Sequence, residues 1–129
     1  MFDGFLRVAA ATPDIRVADC NFNGASAVAL VSEAYEQGVS LLVLPELCLT
    51  GYTCSDLFLQ ESLLDGAGKA LLTLTEATRD KNMIVLAGLP LTVNGVLYNV
   101  AAVLHDGDIL GFVPKSYLPT YSEFYEGRH

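Results

Sequence analysis

Residues 83–113 carry three apolar runs separated by two short turn sequences, and this pattern restricts the possible folds more than any other part of the chain. The runs read MIVLAGLPLTV, VLYNVAAVL and ILGFV, and Asn94-Gly95 and Asp106-Gly107 stand between them. Such dipeptides reach the positive φ angles of a tight hairpin turn at little conformational cost. The pattern therefore predicts three antiparallel strands in a meander.

The segment before the meander alternates apolar runs with a helical pattern. Residues 5–12 predict a short buried strand, and the run 39–44, which lacks alternation, predicts a strand covered on both faces. Between them, Asn23 is a suitable N-cap and Gly38 a suitable C′ residue for a helix. Apolar side chains recur along that helix at steps of three and four, at Ala27, Val28, Leu30, Val31, Ala34 and Tyr35. The order β-α-β predicts a parallel strand pair.

A second helical pattern runs from about residue 57 to residue 81, and it is expected to break near Gly66 and Gly68. The order is then β-α-β-α followed by an antiparallel meander, which places the chain in the α/β (α+β) class. No internal repeat or linker interrupts it, so residues 1–129 are interpreted as one compact unit. The aromatic-rich ending, without a terminal helix or strand, suggests that the chain is cut from a longer one.

Length and composition limit the possible functions. The chain has 129 residues, of which 52% are apolar, and both values are normal for one packed domain. Its formal charge of -8 argues against nucleic acid or an anionic membrane as a partner. No apolar run is long enough to cross a bilayer. Cys20, Cys48 and Cys54 have no metal-ligand spacing and no secretory leader precedes them, so a cytoplasmic location is expected.

Two charged residues stand directly after apolar β runs. Glu46 follows the run 41–44, and Lys115 follows the run 109–113. In α/β scaffolds, the ends of strands often present reactive groups. If both side chains point inward, the carboxylate can serve as a general base and the ammonium can stabilise an oxyanion. The alternative is that both are solvated surface residues, as most charged residues are.

An aromatic cluster surrounds Glu123 near the end of the sequence. Its members are Tyr117, Tyr121, Phe124 and Tyr125. They form either a core or interface patch, or the amphipathic rim of a pocket for a small polar substrate. Both interpretations fit the composition, although a glutamate among aromatic residues favours the second.

The cysteines and histidines show no pattern of a nucleophile or a metal site. Cys48 and Cys54 lie near no histidine or cationic segment that would favour a thiolate, so both are interpreted as buried small residues. His105 and His129 have no second ligand at metal spacing, so we interpret His105 as a strand-end residue and His129 as a loop residue. The sequence therefore predicts no metal site within the chain.

Two segments of the chain resemble a known family. LPELCLTGY at residues 44–52 and PKSYLPTYSEFYEGR at residues 114–128, within this order of elements, resemble the nitrilase, or carbon–nitrogen hydrolase, superfamily. The similarity is strongest to the glutaminase domain of glutamine-dependent NAD synthetases. It implies an α-β-β-α sandwich, of which residues 1–129 would be an incomplete amino-terminal part. Without the other half, some strand edges would be unpaired, and these would favour self-association and so a homo-oligomer.

The resemblance also implies roles for individual residues. Glu46 matches the general base, Lys115 matches the cation that stabilises the tetrahedral intermediate, and Glu123 matches a second catalytic glutamate that many members carry. The positions that match substrate-binding residues are Tyr52, Tyr121 and Phe124. The nucleophilic cysteine of the family would lie beyond residue 129, because none of the three cysteines present matches its context. The chain alone is therefore expected to be inactive.

The reaction implied by the resemblance is hydrolysis of glutamine to glutamate and ammonia. A separate synthetase domain would use the ammonia, with ATP and magnesium, to convert deamido-NAD to NAD, and no cofactor is expected within residues 1–129. Glutamine and the remainder of the parent enzyme are the expected partners. Two alternatives remain, namely part of a stand-alone nitrilase-family amidase or carbamoylase, and a non-catalytic interaction module.

Overall fold

The computed structural model describes residues 6–51 and 61–117, which contain five β-strands and two α-helices. In chain order these are β1 (Val8–Ala10), α1 (Cys20–Glu36), β2 (Leu41–Val43), α2 (Glu61–Ala77), β3 (Ile84–Val93), β4 (Val96–His105) and β5 (Asp108–Tyr117). Neither helix combines the length and apolarity that crossing a bilayer requires.

The five strands form one mixed sheet in the order β1-β2-β3-β4-β5. The first three strands run parallel, and the last three form an antiparallel meander. The predicted order of elements and the α/β (α+β) class are confirmed. β1 and β2 are shorter than the predicted strands 5–12 and 39–44. One reason is that the Val39 amide donates to Ala34 O of α1, at 3.0 Å, so this residue belongs to the end of the helix.

Both hairpin turns have the geometry that the sequence predicts. Asn94 and Gly95 have φ angles of 52° and 79°, and Asp106 and Gly107 have φ angles of 47° and 79°. Positive φ at both central residues is the mark of a type I′ turn, whose twist matches that of the strands it joins. These two turns therefore fix the register of β3, β4 and β5.

Helix α1 begins earlier than predicted, so Asn23 is not its N-cap. The N-cap is Asp19, whose Oδ1 accepts a hydrogen bond of 3.0 Å from the Phe22 amide. Asn23 lies one turn inside the helix, fully buried, where it binds both backbone groups of Arg16 and donates to Leu49 O at 3.1 Å. Its side chain thus joins two loops, a long-range role that local capping preferences do not reveal.

The predicted end of α1 at Gly38 is confirmed. Gly38 has a φ of 78°, and its amide donates to Tyr35 O at 3.0 Å. Together with the bond from Val39 to Ala34, this forms a Schellman motif. Only a residue that tolerates positive φ can hold this position without strain.

Helix α2 is continuous through Gly66 and Gly68, so the predicted break is wrong. A Cβ atom at Gly66 would lie 3.4 Å from Cys20 Sγ, and one at Gly24 would lie 3.1 Å from Ala70 Cβ. Both glycines therefore allow the two helices to approach closely. Because Cys20 faces Gly66 and Gly24 faces Ala70, the helices run side by side in the same direction.

The core lies between the helices and one face of the sheet. Among its members that are no more than 1% exposed are Ala27, Val31, Leu42, Leu74, Met83, Val85, Ala87, Leu89, Ala102 and Leu104. The other face includes Val8, Val43 and Val113, which are 60%, 37% and 58% exposed. The prediction that the second strand is covered on both faces is therefore wrong for the described residues, since both helices pack on one side. Two layers of the implied sandwich are present.

Thr78 connects the end of α2 to the turn between β4 and β5. Its buried hydroxyl donates to Thr75 O at 2.6 Å and accepts from the Gly107 amide at 2.9 Å. Asp106 Oδ1 accepts a second bond, of 2.8 Å, from the Asp80 amide. The helix layer is thus joined to the meander by hydrogen bonds as well as by apolar packing.

We expect Thr78→Val to lower the free energy of unfolding by about 1–3 kcal/mol, because it leaves the partly buried Gly107 amide and the Thr75 carbonyl without their hydroxyl partner. The control is Thr73→Val, which removes an exposed hydroxyl bonded to Lys69 O. That change should stay within about 0.5 kcal/mol. Urea denaturation measures both values, and equal effects would contradict a special role for Thr78.

Candidate active site

Glu46 is presented by a turn that follows β2 and is fastened to β3. The Leu44 amide donates to Leu86 O at 2.9 Å, and the Leu49 amide donates to Gly88 O at 3.2 Å. Within the turn, Leu47 has a φ of 54° and its carbonyl accepts from the Gly51 amide at 2.8 Å. Backbone bonds on both sides of Glu46 therefore fix its Cα above the sheet.

The turn approaches β3 so closely that only glycine fits beneath it. A Cβ atom at Gly88 would lie 2.7 Å from Pro45 O and 2.9 Å from Glu46 Cα. Real Cβ atoms essentially never come so close to a backbone atom. The absence of a side chain at position 88 therefore sets the height of Glu46 over the sheet.

Lys115 lies inside β5 rather than beyond its end, because the strand continues past the apolar run 109–113 to Tyr117. The ladder is irregular here, since Asn99 pairs with Ser116 but Val100 pairs with Pro114. Lys115 is thus the extra residue of a β-bulge, next to a proline that has no amide hydrogen to donate. A bulge changes the direction in which a side chain points.

The two predicted charged residues meet in the folded chain. Lys115 Nζ lies 2.9 Å from Glu46 Oε1, although the residues are 69 positions apart in the sequence. The Glu46 side chain is 19% exposed and that of Lys115 is 63% exposed. Such a partly exposed pair adds at most about 1 kcal/mol to stability, so stability alone does not account for it. Glu46 is not the solvated loop residue of the alternative interpretation.

Asn99 is a third member of the site that the sequence analysis missed. It is buried on β4, and its Nδ2 donates a hydrogen bond to Glu46 Oε2. The signal that could have identified it is a carboxamide residue in the middle of the apolar run VLYNVAAVL. A polar side chain at a buried strand position requires a partner, and here the partner is the predicted base.

A small cavity of about 190 Å³ lies beside these three side chains. The residues that line it are Val43, Leu44, Pro45, Glu46, Leu86, Gly88, Asn99, Val100, Ala101 and Lys115. Its walls are mostly apolar, with one carboxylate, one ammonium and one carboxamide, which is the composition of a site for a small polar group. A larger cavity of about 380 Å³ lies at the start of α1 and α2, away from this charge pair. The chemistry, rather than the volume, identifies the candidate site.

Cys48 is a buried core residue, as predicted. Burial raises the pKa of its thiol to about 11, and its Sγ lies 3.6 Å from Gly88 O. At neutral pH the group is therefore a thiol and a poor nucleophile. Cys20 is also buried, and Cys54 lies outside the described residues. His105 is the last residue of β4, as predicted, with its Nε2 3.4 Å from Asn82 Oδ1.

Several predicted site residues lie outside the described part of the chain. They are Tyr52, Tyr121, Glu123 and Phe124, together with Tyr125 and His129. Of the aromatic cluster, only the backbone of Tyr117 is described, at the end of β5. The roles of these residues therefore stay predictions. Within residues 6–51 and 61–117, no group of three or more His, Cys, Asp or Glu side chains is placed to hold a metal ion.

Comparison with known proteins gives consistent sequence matches. The carbon-nitrogen hydrolase family profile matches residues 7–128. The glutamine-dependent NAD(+) synthetase of Mycobacterium tuberculosis is 46% identical over 125 residues, covering 97% of this chain and 18% of that protein. The enzyme of the same name from Thermotoga maritima is 38% identical over 124 residues, covering 96% of this chain and 21% of that protein. The chain thus spans about a fifth of the length of these relatives.

Solved structures share the fold. A glutamine-dependent NAD(+) synthetase from Cytophaga hutchinsonii superposes with a TM-score of 0.83 at 30% identity, covering 95% of this chain and 21% of that one. An amidase from Nesterenkonia sp. superposes with a TM-score of 0.72 at 24% identity, covering 95% of this chain and 46% of that one. The second likeness is one of fold alone.

We expect Gly88→Ala to displace the turn that carries Glu46 and to lower the free energy of unfolding by about 1–3 kcal/mol, because the new methyl group has no space. The matched control is Gly111→Ala on β5, where a Cβ atom meets nothing within 4 Å. Urea denaturation compares the two variants. If both unfold at the same urea concentration, the close approach at Gly88 does not constrain the turn.

The raised pKa of Cys48 predicts slow alkylation in the folded protein. The thiol pKa is about 11 rather than 9.0, so at pH 8 the thiolate fraction should be about a hundredfold lower than in the unfolded chain. Stability should fall as the pH rises from 9 through 11, since the folded state disfavours the thiolate. Mass spectrometry of the Cys48 peptide after iodoacetamide treatment measures the rate. Equal rates in native and urea-unfolded protein would contradict burial of the thiol.

Proposed function

Because the chain belongs to the carbon–nitrogen hydrolase family, we propose that it forms part of the glutaminase domain of a glutamine-dependent NAD synthetase. The observation that carries this proposal is the contact of 2.9 Å between Glu46 and Lys115, at the edge of a small cavity. The family resemblance assigns catalytic roles to these same two residues. The sequence identity to enzymes named NAD synthetase supports the choice of reaction.

The proposed chemistry begins with attack of a cysteine thiol on the carboxamide carbon of glutamine. Glu46 takes the thiol proton, and the new C–S bond leaves a negative charge on the former carbonyl oxygen. Lys115 stabilises that charge, and its partly exposed ammonium can shift from Glu46 toward the oxyanion. Collapse of the intermediate breaks the C–N bond, and Glu46 returns the proton to the leaving ammonia. Water, activated by Glu46, then opens the thioester to glutamate.

The nucleophile in this proposal lies outside the described residues. Cys48 is 0% exposed, and Cys20 is buried where α1 packs against Gly66 of α2, so neither thiol is accessible to a substrate. The chain spans only about a fifth of its synthetase relatives, so the remainder of a longer protein can supply the cysteine. That remainder would also contain the synthetase domain, in which ATP and magnesium activate deamido-NAD for attack by ammonia.

The uncovered face of the sheet supports the proposal of a larger assembly. Val8, Ile84 and Val113 leave apolar surface exposed on the side where the cavity opens. Surface of this kind is normally covered in a complete protein. We propose that the rest of the parent enzyme covers it, and that further copies of the enzyme assemble into a homo-oligomer in the cytoplasm.

A stand-alone amidase is the second candidate, because the chain shares its fold with the Nesterenkonia amidase and covers 46% of that protein. The identity favours the synthetase, at 46% for the Mycobacterium tuberculosis enzyme against 24% for the amidase. The gene sequence after codon 129 separates them. A synthetase needs a downstream glycine-rich ATP-binding loop, whereas an amidase needs none. The meeting of Glu46 and Lys115 argues against a purely non-catalytic interaction module.

In the complete enzyme, we expect Glu46→Gln and Lys115→Ala each to lower glutamine hydrolysis at least about a hundredfold, because each removes a group needed in the transition state. NAD synthesis driven by free ammonium should persist, since it bypasses this site. The measurements are ammonia release from glutamine and NAD formation from deamido-NAD.

A second ion pair in the same chain provides the control. Glu76 and Arg79 lie 2.6 Å apart on the surface, and the arginine lowers the pKa of the Glu76 carboxyl. Glu76→Gln should leave glutamine hydrolysis unchanged. Loss of ammonium-driven synthesis in the Glu46 or Lys115 variants would show that these residues are structural. Unchanged ammonia release from glutamine in the same variants would refute the proposed function.

A further inference from the structure

We propose that Asn99 is the positioning residue of this site, which fixes the orientation of the Glu46 carboxylate by donating to Oε2 while Lys115 binds Oε1. This inference rests on the proposed function, because it assigns Asn99 a task only if Glu46 is the base. Neither the family resemblance nor the spacing of charged residues points to it.

The two oxygens of Glu46 are held by groups of very different rigidity. Lys115 is 63% exposed and has a long flexible stem, so its ammonium is a mobile partner. Asn99 is 1% exposed and lies on β4, between β3 and β5. Its backbone is held on both sides, where it pairs with Pro90 and with Ser116. The rigid reference for the carboxylate is therefore Asn99.

A carboxylate needs such a reference because the last torsion of a glutamate side chain has a broad energy minimum. The exposed, flexible Lys115 constrains the plane of the Glu46 carboxylate less than the buried Asn99 does. A general base must direct a lone pair at the proton that it takes. Each carboxylate oxygen has two lone-pair positions, and the bond from Asn99 fixes the directions in which the Glu46 oxygens present theirs.

The carbonyl oxygen of the Asn99 side chain indicates that the amide is oriented to keep its bond to Glu46. Its Oδ1 is buried and accepts no hydrogen bond from any described residue. A buried acceptor without a donor lowers stability. The opposite orientation of the amide would place this oxygen against Glu46 Oε2, where two acceptors repel. The side chain therefore gives up a hydrogen bond at Oδ1 and keeps its donor on the carboxylate.

The test uses the complete enzyme, with Asn99→Ala and Asn99→Asp. Since Asn99 acts through Glu46, Asn99→Ala should lower kcat for glutamine hydrolysis about tenfold to a hundredfold, with KM changed less than about twofold. Asn99→Asp should be at least as damaging, because it sets a second carboxylate against Glu46. Ammonium-driven NAD synthesis should stay at the wild-type rate in both variants, because it bypasses this site.

Two further variants complete the design. Asn82→Asp makes the same chemical change at an exposed position outside the cavity and should leave kcat unchanged. In a Glu46→Ala background, Asn99→Ala should have no additional effect beyond about twofold, because the group through which it acts is gone. A residue with a purely structural role would lower activity in that background as well.

The outcomes separate this inference from the proposed function. A wild-type enzyme that releases no ammonia from glutamine overturns both. An active wild type with normal kcat in Asn99→Ala overturns the positioning role alone. A raised KM at unchanged kcat would mean that Asn99 binds substrate instead, and equal loss of glutamine-driven and ammonium-driven synthesis would mean that it is structural. Either result overturns the proposal, whereas a selective fall in kcat supports it.

Discussion

The site depends on the close contact between a backbone turn and strand β3. Position 88 has no side chain, so the turn can come very close to β3. Pro45 O and Glu46 Cα lie only 2.7 Å and 2.9 Å from where a Cβ atom of residue 88 would be. This contact brings Glu46 low over the sheet, within reach of Asn99 on β4 and Lys115 on β5. Three adjacent strands thus contribute a glycine, a carboxamide and an ammonium around one carboxylate.

The antiparallel meander gives these contributions a fixed register. Two type I′ turns set the alignment of β3, β4 and β5. The bulge at Lys115 changes the direction in which the Lys115 side chain points from the sheet. The position of the ammonium therefore depends on a local irregularity in an otherwise regular sheet. Because Asn99 pairs with Ser116 next to the bulge, the same feature places both Glu46 partners beside each other.

The packed core and the candidate site lie on opposite faces of the sheet. Both helices pack on one face, over buried residues such as Leu42 and Val85. The charge pair and its cavity lie on the other face, which keeps exposed apolar residues such as Val43 and Val113. The carboxylate and the ammonium meet there as a partly exposed ion pair at the edge of a mostly apolar cavity. In the core, by contrast, the thiol of Cys48 stays protonated.

The sequence by itself determined the order of strands and helices, both hairpin turns and the helix end at Gly38, and it singled out Glu46 and Lys115 as candidate site residues. These follow from local causes, namely hydrophobic periodicity, positive φ at turn residues and charge placed next to an apolar run. Only the tertiary structure decided that α2 continues through Gly66 and that Asn99 belongs to the site. The first depends on the packing of Gly66 against Cys20 of α1, and the second on the bond from Asn99 to Glu46, 53 residues away in the chain. Contacts between such distant segments leave no local pattern in a sequence.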